Sequence, residues 1–142
     1  MRFMKTAIVY RSFLGTARKY AEWLHEDVES DLLKPRNASE KKLAGYDVVV
    51  LCSGTYAGWI SIRGFLGKRW NVLRDKKVIL LVVGLAPPEN PESTQAYLKI
   101  PEDIRKGITY FKVAGTVGSS NQAQVKKENL APVVDYIRGL DA

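Results

Sequence analysis

Three stretches of this chain carry apolar residues in unbroken succession: "AIVY" within Thr6–Tyr10, "VVVLC" within Asp47–Gly54, and "VILLVV" within Lys77–Gly84. They are rich in β-branched residues, and none has a polar face to offer water. A strand of this kind is stable only when covered on both sides, as in a parallel sheet packed between helices. The run "ITYFKVAG" (Ile108–Gly115) reads as a further strand and "SDLLKP", ended by Pro35, as a weak one. Helical spacing separates them. Thr16 to Val28 places Ala17, Tyr20, Ala21, Leu24 and Val28 on one face, and Ile62, Phe65, Leu66, Trp70 and Leu73 form a second such stripe, interrupted by Gly64 and Gly67. Ser39 is placed to cap a short helix before Gly45. Glu92–Leu98 and Pro101–Lys106 read as two short helical pieces, with Pro101 in a first turn, and Lys126–Leu140 as a closing helix that Pro132 would kink. Strands alternating with helices give an α/β protein, a three-layer sandwich around five parallel strands.

At 142 residues the expectation is one domain, residues 1–142, with a full core. The opening "MRFMKTAIVY" has no sustained apolar core before a small-residue cleavage site, and "VILLVVGLA" is too short to cross a bilayer. A single cysteine, Cys52, excludes an internal disulfide framework and suits a reducing compartment. The expectation is a cytoplasmic protein. One His, one Cys and no HExxH or CxxC spacing argue against a metal site. Net charge is +7, but the cations are scattered except for a denser run from Arg63 to Lys77, and no nucleic-acid motif accompanies them.

In sheets of this class ligands bind beyond the carboxyl ends of the strands. The loops to read are therefore Arg11–Ala17, Ser53–Trp59, Leu85–Glu92 and Thr116–Gln122. The first has one glycine, Gly15, so it is not a dinucleotide fingerprint, and no Gly-Lys-Ser/Thr follows to make it a Walker loop. Arg11, Ser12 and Cys52 stand where a response regulator would need acidic residues. What remains is a turn with two hydroxyls, Ser12 and Thr16, and a glycine leading into a helix N-terminus. Such a turn suits a terminal phosphomonoester. The plainer reading is a capped helix and nothing more, and the turn alone does not choose between them. Cys52 reads as a buried strand residue, and His25 as a polar-face residue of the first helix.

The stretch "IVYRSFLGTARKYAEWL" resembles the opening strand, phosphate loop and first helix of flavodoxin-like domains. Their loop pattern is Thr/Ser-x-Thr-Gly-x-Thr. Ser12 falls on its first position, Leu14 on the third, Gly15 on the glycine and Ala17 on the last, with Thr16 as a neighbouring hydroxyl. "YDVVVLCSGTYAGW" and "KKVILLVVGLAPPENPE" resemble the third and fourth strands with their flavin-contacting loops. The subgroup most resembled is the small flavodoxin-domain proteins related to flavodoxin-like protoporphyrinogen oxidases. The resemblance implies a strand order of 2-1-3-4-5 and non-covalent FMN. It implies that Ser12, Phe13, Leu14, Gly15, Thr16 and Ala17 wrap the phosphate. Thr55, Tyr56, Ala57, Gly58 and Trp59 would line the ring, with Tyr56 or Trp59 stacking on it, and Gly84, Leu85 and Ala86 would close the other side. Arg11 and Arg18 are candidates to add charge to the phosphate.

Three functions are compatible with these residues: an FMN electron carrier or small oxidoreductase, which is favoured; a substrate-level flavin oxidase or quinone reductase of the protoporphyrinogen-oxidase type; and a flavin-free binding module. The short link "TVGSSNQAQ" lowers the second. Electron-transfer flavodoxins are usually acidic, so a +7 chain is expected to hold reduced flavin at a less negative potential. The run Arg63, Lys68, Arg69, Arg74, Lys76 and Lys77 is either a solvated helix face or a face that docks an acidic redox partner or attracts an anionic membrane surface or carboxylated substrate.

Overall fold

The structure, a computed structural model, describes residues 4–12, 15–56, 58–84, 89–115 and 124–140. Its strands are β1 (Thr6–Arg11), β2 (Asp31–Leu33), β3 (Val48–Tyr56), β4 (Trp59–Ile60), β5 (Lys77–Gly84) and β6 (Ile108–Ala114). Its helices are α1 (Thr16–Asp27), α2 (Glu40–Leu43), α3 (Arg63–Lys68), α4 (Trp70–Leu73), α5 (Pro91–Leu98), α6 (Glu102–Arg105) and α7 (Ala131–Leu140). The sheet runs β2-β1-β3-β5-β6, parallel at every step, with β4 paired antiparallel to the end of β3. Apart from that added two-residue strand, this is the expected order of five parallel strands.

The unbroken apolar runs divide by parity, as a pleated strand requires. Val78, Leu80 and Val82 of β5 face a core with Leu43, Ile60, Ile62, Leu66, Leu73, Ala96, Ile100 and Ile104. Ile79, Leu81 and Val83 face the opposite core with Ala17, Tyr20, Ala21, Leu24, Leu130, Val133 and Ile137. Each fully buried Leu or Ile contributes about 1.5–3 kcal/mol, so both layers are bound firmly to the sheet. Tyr20 adds a polar tie. Its hydroxyl donates to the Ala114 carbonyl at 2.6 Å and accepts from Asn129 Nδ2 at 2.9 Å, while the same amide donates to the Gln124 carbonyl at 2.7 Å.

Four local expectations are corrected. The stretch read as a loop after Gly54 continues as strand through Tyr56 and folds back as β4. The reason is a buried side chain: Ser53 Oγ accepts the Ile62 amide at 3.0 Å, and the Ser61 amide reaches the Gly54 carbonyl at 3.0 Å, closing the hairpin. The helix expected over Ile62–Leu73 breaks at Arg69, which ends α3 and begins α4. Pro132 is the second residue of α7, where no intrahelical N–H bond is lost, so it introduces no interior kink. Pro101 precedes α6 as its N-cap rather than sitting in its first turn. Ser39 caps α2 as expected, accepting the Lys42 amide at 3.1 Å. No helix among the described residues is long and apolar enough to cross a membrane.

Candidate functional site

The carboxyl ends of β1 and β3 open onto one cleft of about 480 Å³. Arg11 and Ser12 line one side of it, and Tyr56, Trp59, Ile60 and Arg63 the other. On the β1 side, Gly15 has φ +91°, a left-handed turn that any side chain would strain, and an added Cβ would meet nothing within 4 Å. The glycine is there for its backbone angle and for an open approach. Its amide donates to Ser12 Oγ at 2.9 Å, so the turn already presents an N–H to an oxygen. No acidic residue stands in the first turn of α1 to offset the positive end of its dipole.

Beneath the turn, Ala17 is buried and its carbonyl accepts a bond from Cys52 Sγ at 3.3 Å. Burial pushes the Cys52 thiol up to about 12, which makes it an inert core group. Of the two arginines nominated for charge, Arg11 lines the cleft, whereas Arg18 pairs with Glu22 at 3.5 Å on the exposed face of α1. His25 is also exposed, with Nδ1 3.0 Å from Ser30 Oγ.

On the β3 side, Tyr56 and Trp59 are directly opposed across the hairpin, which puts both rings on one face. They are large aromatics left 63% and 40% exposed, an uncommon state for such surface unless something covers it. Trp59 is fixed by two cations: Arg63 Cζ lies 3.9 Å and Lys99 Nζ 4.1 Å from its ring centre. Lys99 also donates to the Gly58 carbonyl at 2.9 Å, where the chain turns with φ +79°.

At the third position, Gly84 ends β5 in close quarters. A Cβ there would lie 3.1 Å from Thr55 Oγ1 and 3.0 Å from Lys112 Nζ. Ser12, Gly15, Thr16, Ala17, Thr55, Tyr56, Gly58, Trp59 and Gly84 thus all lie toward the carboxyl edge of the sheet. Phe13, Leu14, Ala57, Leu85 and Ala86, and the loop Thr116–Gln122, fall outside the described residues.

Sequence reasoning missed Lys99 and Lys112, and read Arg63 only as part of a basic run. A lysine inside the strand-like "ITYFKVAG" was the one available signal. The basic run itself is not one solvated face. Arg69 Nε donates to the Ala38 carbonyl at 3.1 Å, and Lys76 Nζ donates to the Tyr46 carbonyl at 2.6 Å.

An oxygen held by the turn's amide, a left-handed glycine with open space and a pair of exposed aromatics share the carboxyl edge of the sheet, a donor set whose chemistry fits a phosphomonoester bearing an aromatic ring. The fold is that of the flavodoxins. The sequence model of the flavodoxin domain family matches residues 7–134, and the chain belongs to that family. Among solved structures, oxidised flavodoxin 2 from Bacillus cereus superposes with a TM-score of 0.68 at 19% identity, over 96% of this chain and 99% of that one. The Trp repressor binding protein from Bacillus subtilis gives 0.67 at 12% identity, over 92% and 97%. A flavoprotein in complex with FMN from Lactobacillus acidophilus gives 0.56 at 17% identity, over 79% and 93%. No curated protein matches the chain.

Proposed function

We infer that residues 1–142 act as one flavin-binding domain that holds FMN non-covalently in this cleft and serves in electron transfer, as a carrier or small oxidoreductase. The observation that carries the reading is that Ser12, whose hydroxyl is held by the Gly15 amide, lines one cleft together with the exposed Tyr56 and Trp59. Ser12, Gly15, Thr16 and the backbone of Ala17 would hold the phosphate. Thr55, Tyr56, Gly58, Trp59 and Gly84 would hold the ring. Bound FMN supplies the electron chemistry, and the protein supplies placement and electrostatics. Arg63 and Lys99 lie over the Trp59 ring and keep it in one orientation at the mouth of the cleft, while Tyr56 is the more exposed of the two rings. Arg11, Arg63 and Lys99 give the rim a positive sign, which favours an acidic redox partner and speeds its encounter at low salt. With one buried cysteine, the cytoplasm is the compartment we assign.

The test is the visible spectrum of the purified protein, followed by titration of the apo form with FMN and with riboflavin. Flavin bands, or quenching by FMN that riboflavin does not reproduce, support the reading. Absence of both, at high FMN, removes it and leaves a binding module.

A further inference from the structure

Lys112 lies within β6, in register with Val82 of β5. Its strand parity puts it on the sheet face of Tyr110, toward α5, where its Nζ donates to the buried Ser93 hydroxyl at 3.1 Å. The side chain runs toward the carboxyl edge. The position of a Cβ on Gly84 would lie 3.0 Å from Nζ, 3.2 Å from Cε and 3.1 Å from Thr55 Oγ1. An ammonium and a hydroxyl therefore both border the space beside Gly84, the last residue of β5, at the ends of β3, β5 and β6.

Taking a lysine out of water is costly unless an opposite charge repays it. Among the described residues Lys112 pairs with no carboxylate, and burial lowers its proton affinity. An apolar residue would pack β6 against α5 at less cost. A half-buried cation without a counter-charge, at the edge where a ligand belongs, fits a counter-charge that arrives with the ligand.

We propose that Lys112 provides the counter-charge for the ring of bound FMN in its reduced state. The proposal rests on the FMN reading above. Uptake of two electrons and one proton leaves the neutral isoalloxazine with one negative charge. Gly84, beside which the Lys112 ammonium lies, and Thr55, whose hydroxyl borders the same space, belong to the two segments assigned to the ring. An ammonium held there favours the charged state of the ligand over the neutral one, and that difference in affinity is the shift in midpoint potential. A generally positive protein surface would act on both partner docking and potential through screened solvent. Lys112 acts from a half-buried position and is far less sensitive to salt.

The experiment compares the intact protein with Lys112→Gln and Lys112→Arg. Each is titrated anaerobically with oxidised FMN and with dithionite-reduced FMN, and the midpoint potential of each complex is measured. Lys112→Gln should leave affinity for oxidised FMN nearly unchanged and weaken affinity for reduced FMN by about tenfold or more, the scale of one partly buried charge. The potential should fall to match, and Lys112→Arg should restore most of it. Lys112→Met, which keeps an apolar stem, makes the same comparison if the glutamine variant does not fold. Equal weakening of both states, or no change in either, overturns the proposal and leaves Lys112 as a tie between β6 and Ser93. No FMN binding by the unaltered protein overturns the flavin reading itself and this proposal with it. The two failures are thus distinct.

Discussion

The Arg63 guanidinium lies 3.9 Å from the centre of the Trp59 ring, while Lys99, just past the end of α5, reaches the same ring at 4.1 Å. A short helix and the end of a distant one therefore converge on a single exposed side chain at the mouth of the cleft. Each such contact is worth about 0.5–1 kcal/mol at an exposed site. Arg63→Ala should therefore raise the Kd for FMN about two- to fivefold, with little change in global stability. Titration by flavin fluorescence, beside an unfolding curve, checks both halves. Unchanged affinity would mean that Trp59 does not bear on the ring.

Gly15 makes a different demand, because its φ of +91° and not its surroundings requires glycine. Gly15→Ala should destabilise the fold by about 1–2 kcal/mol, and Gly15→Asn by less, since Asn tolerates the left-handed region. Urea unfolding at constant m-value measures the difference. Equal stability of all three forms would show that the turn relaxes to another conformation.

Tyr46 sets an alkaline limit. It is buried, donates to Asp31 Oδ2 at 2.5 Å, and its pKa is raised from 10.0 to about 12, first by desolvation and then by the Asp31 carboxylate. The folded pKa lies above the unfolded one, so this stabilisation is fully present below pH 10 and is lost as pH climbs toward 12. Tyr46→Phe should flatten that part of the pH–stability profile between pH 10 and 12. A profile with the same slope in both proteins would show that other groups account for the alkaline loss.

Much of this was legible in the chain itself. "VVVLC" and "VILLVV" read as doubly covered strands from their β-branched, unbroken apolar character, and the turn at Gly15 followed from one glycine between a strand and a helical stripe. The hairpin at Trp59 was not legible, because Gly54 and Gly58 resemble loop punctuation. What makes the segment pair is the buried Ser53 hydroxyl reaching nine residues ahead to the Ile62 amide. The break at Arg69 was half visible in Gly64 and Gly67, which weaken the helical stripe. Lys99 and Lys112 escaped for a plainer reason. Their meaning comes from Gly58, Thr55 and Gly84, which are far away in sequence and adjacent only once the sheet has formed.

The Tyr20 hydroxyl has a consequence for how this chain moves. By holding the Ala114 carbonyl and the Asn129 amide together, it ties the end of β6 to the segment that leads into α7. One phenol of α1 thus couples the last strand of the sheet to the approach to α7, so three elements far apart in the chain move as one.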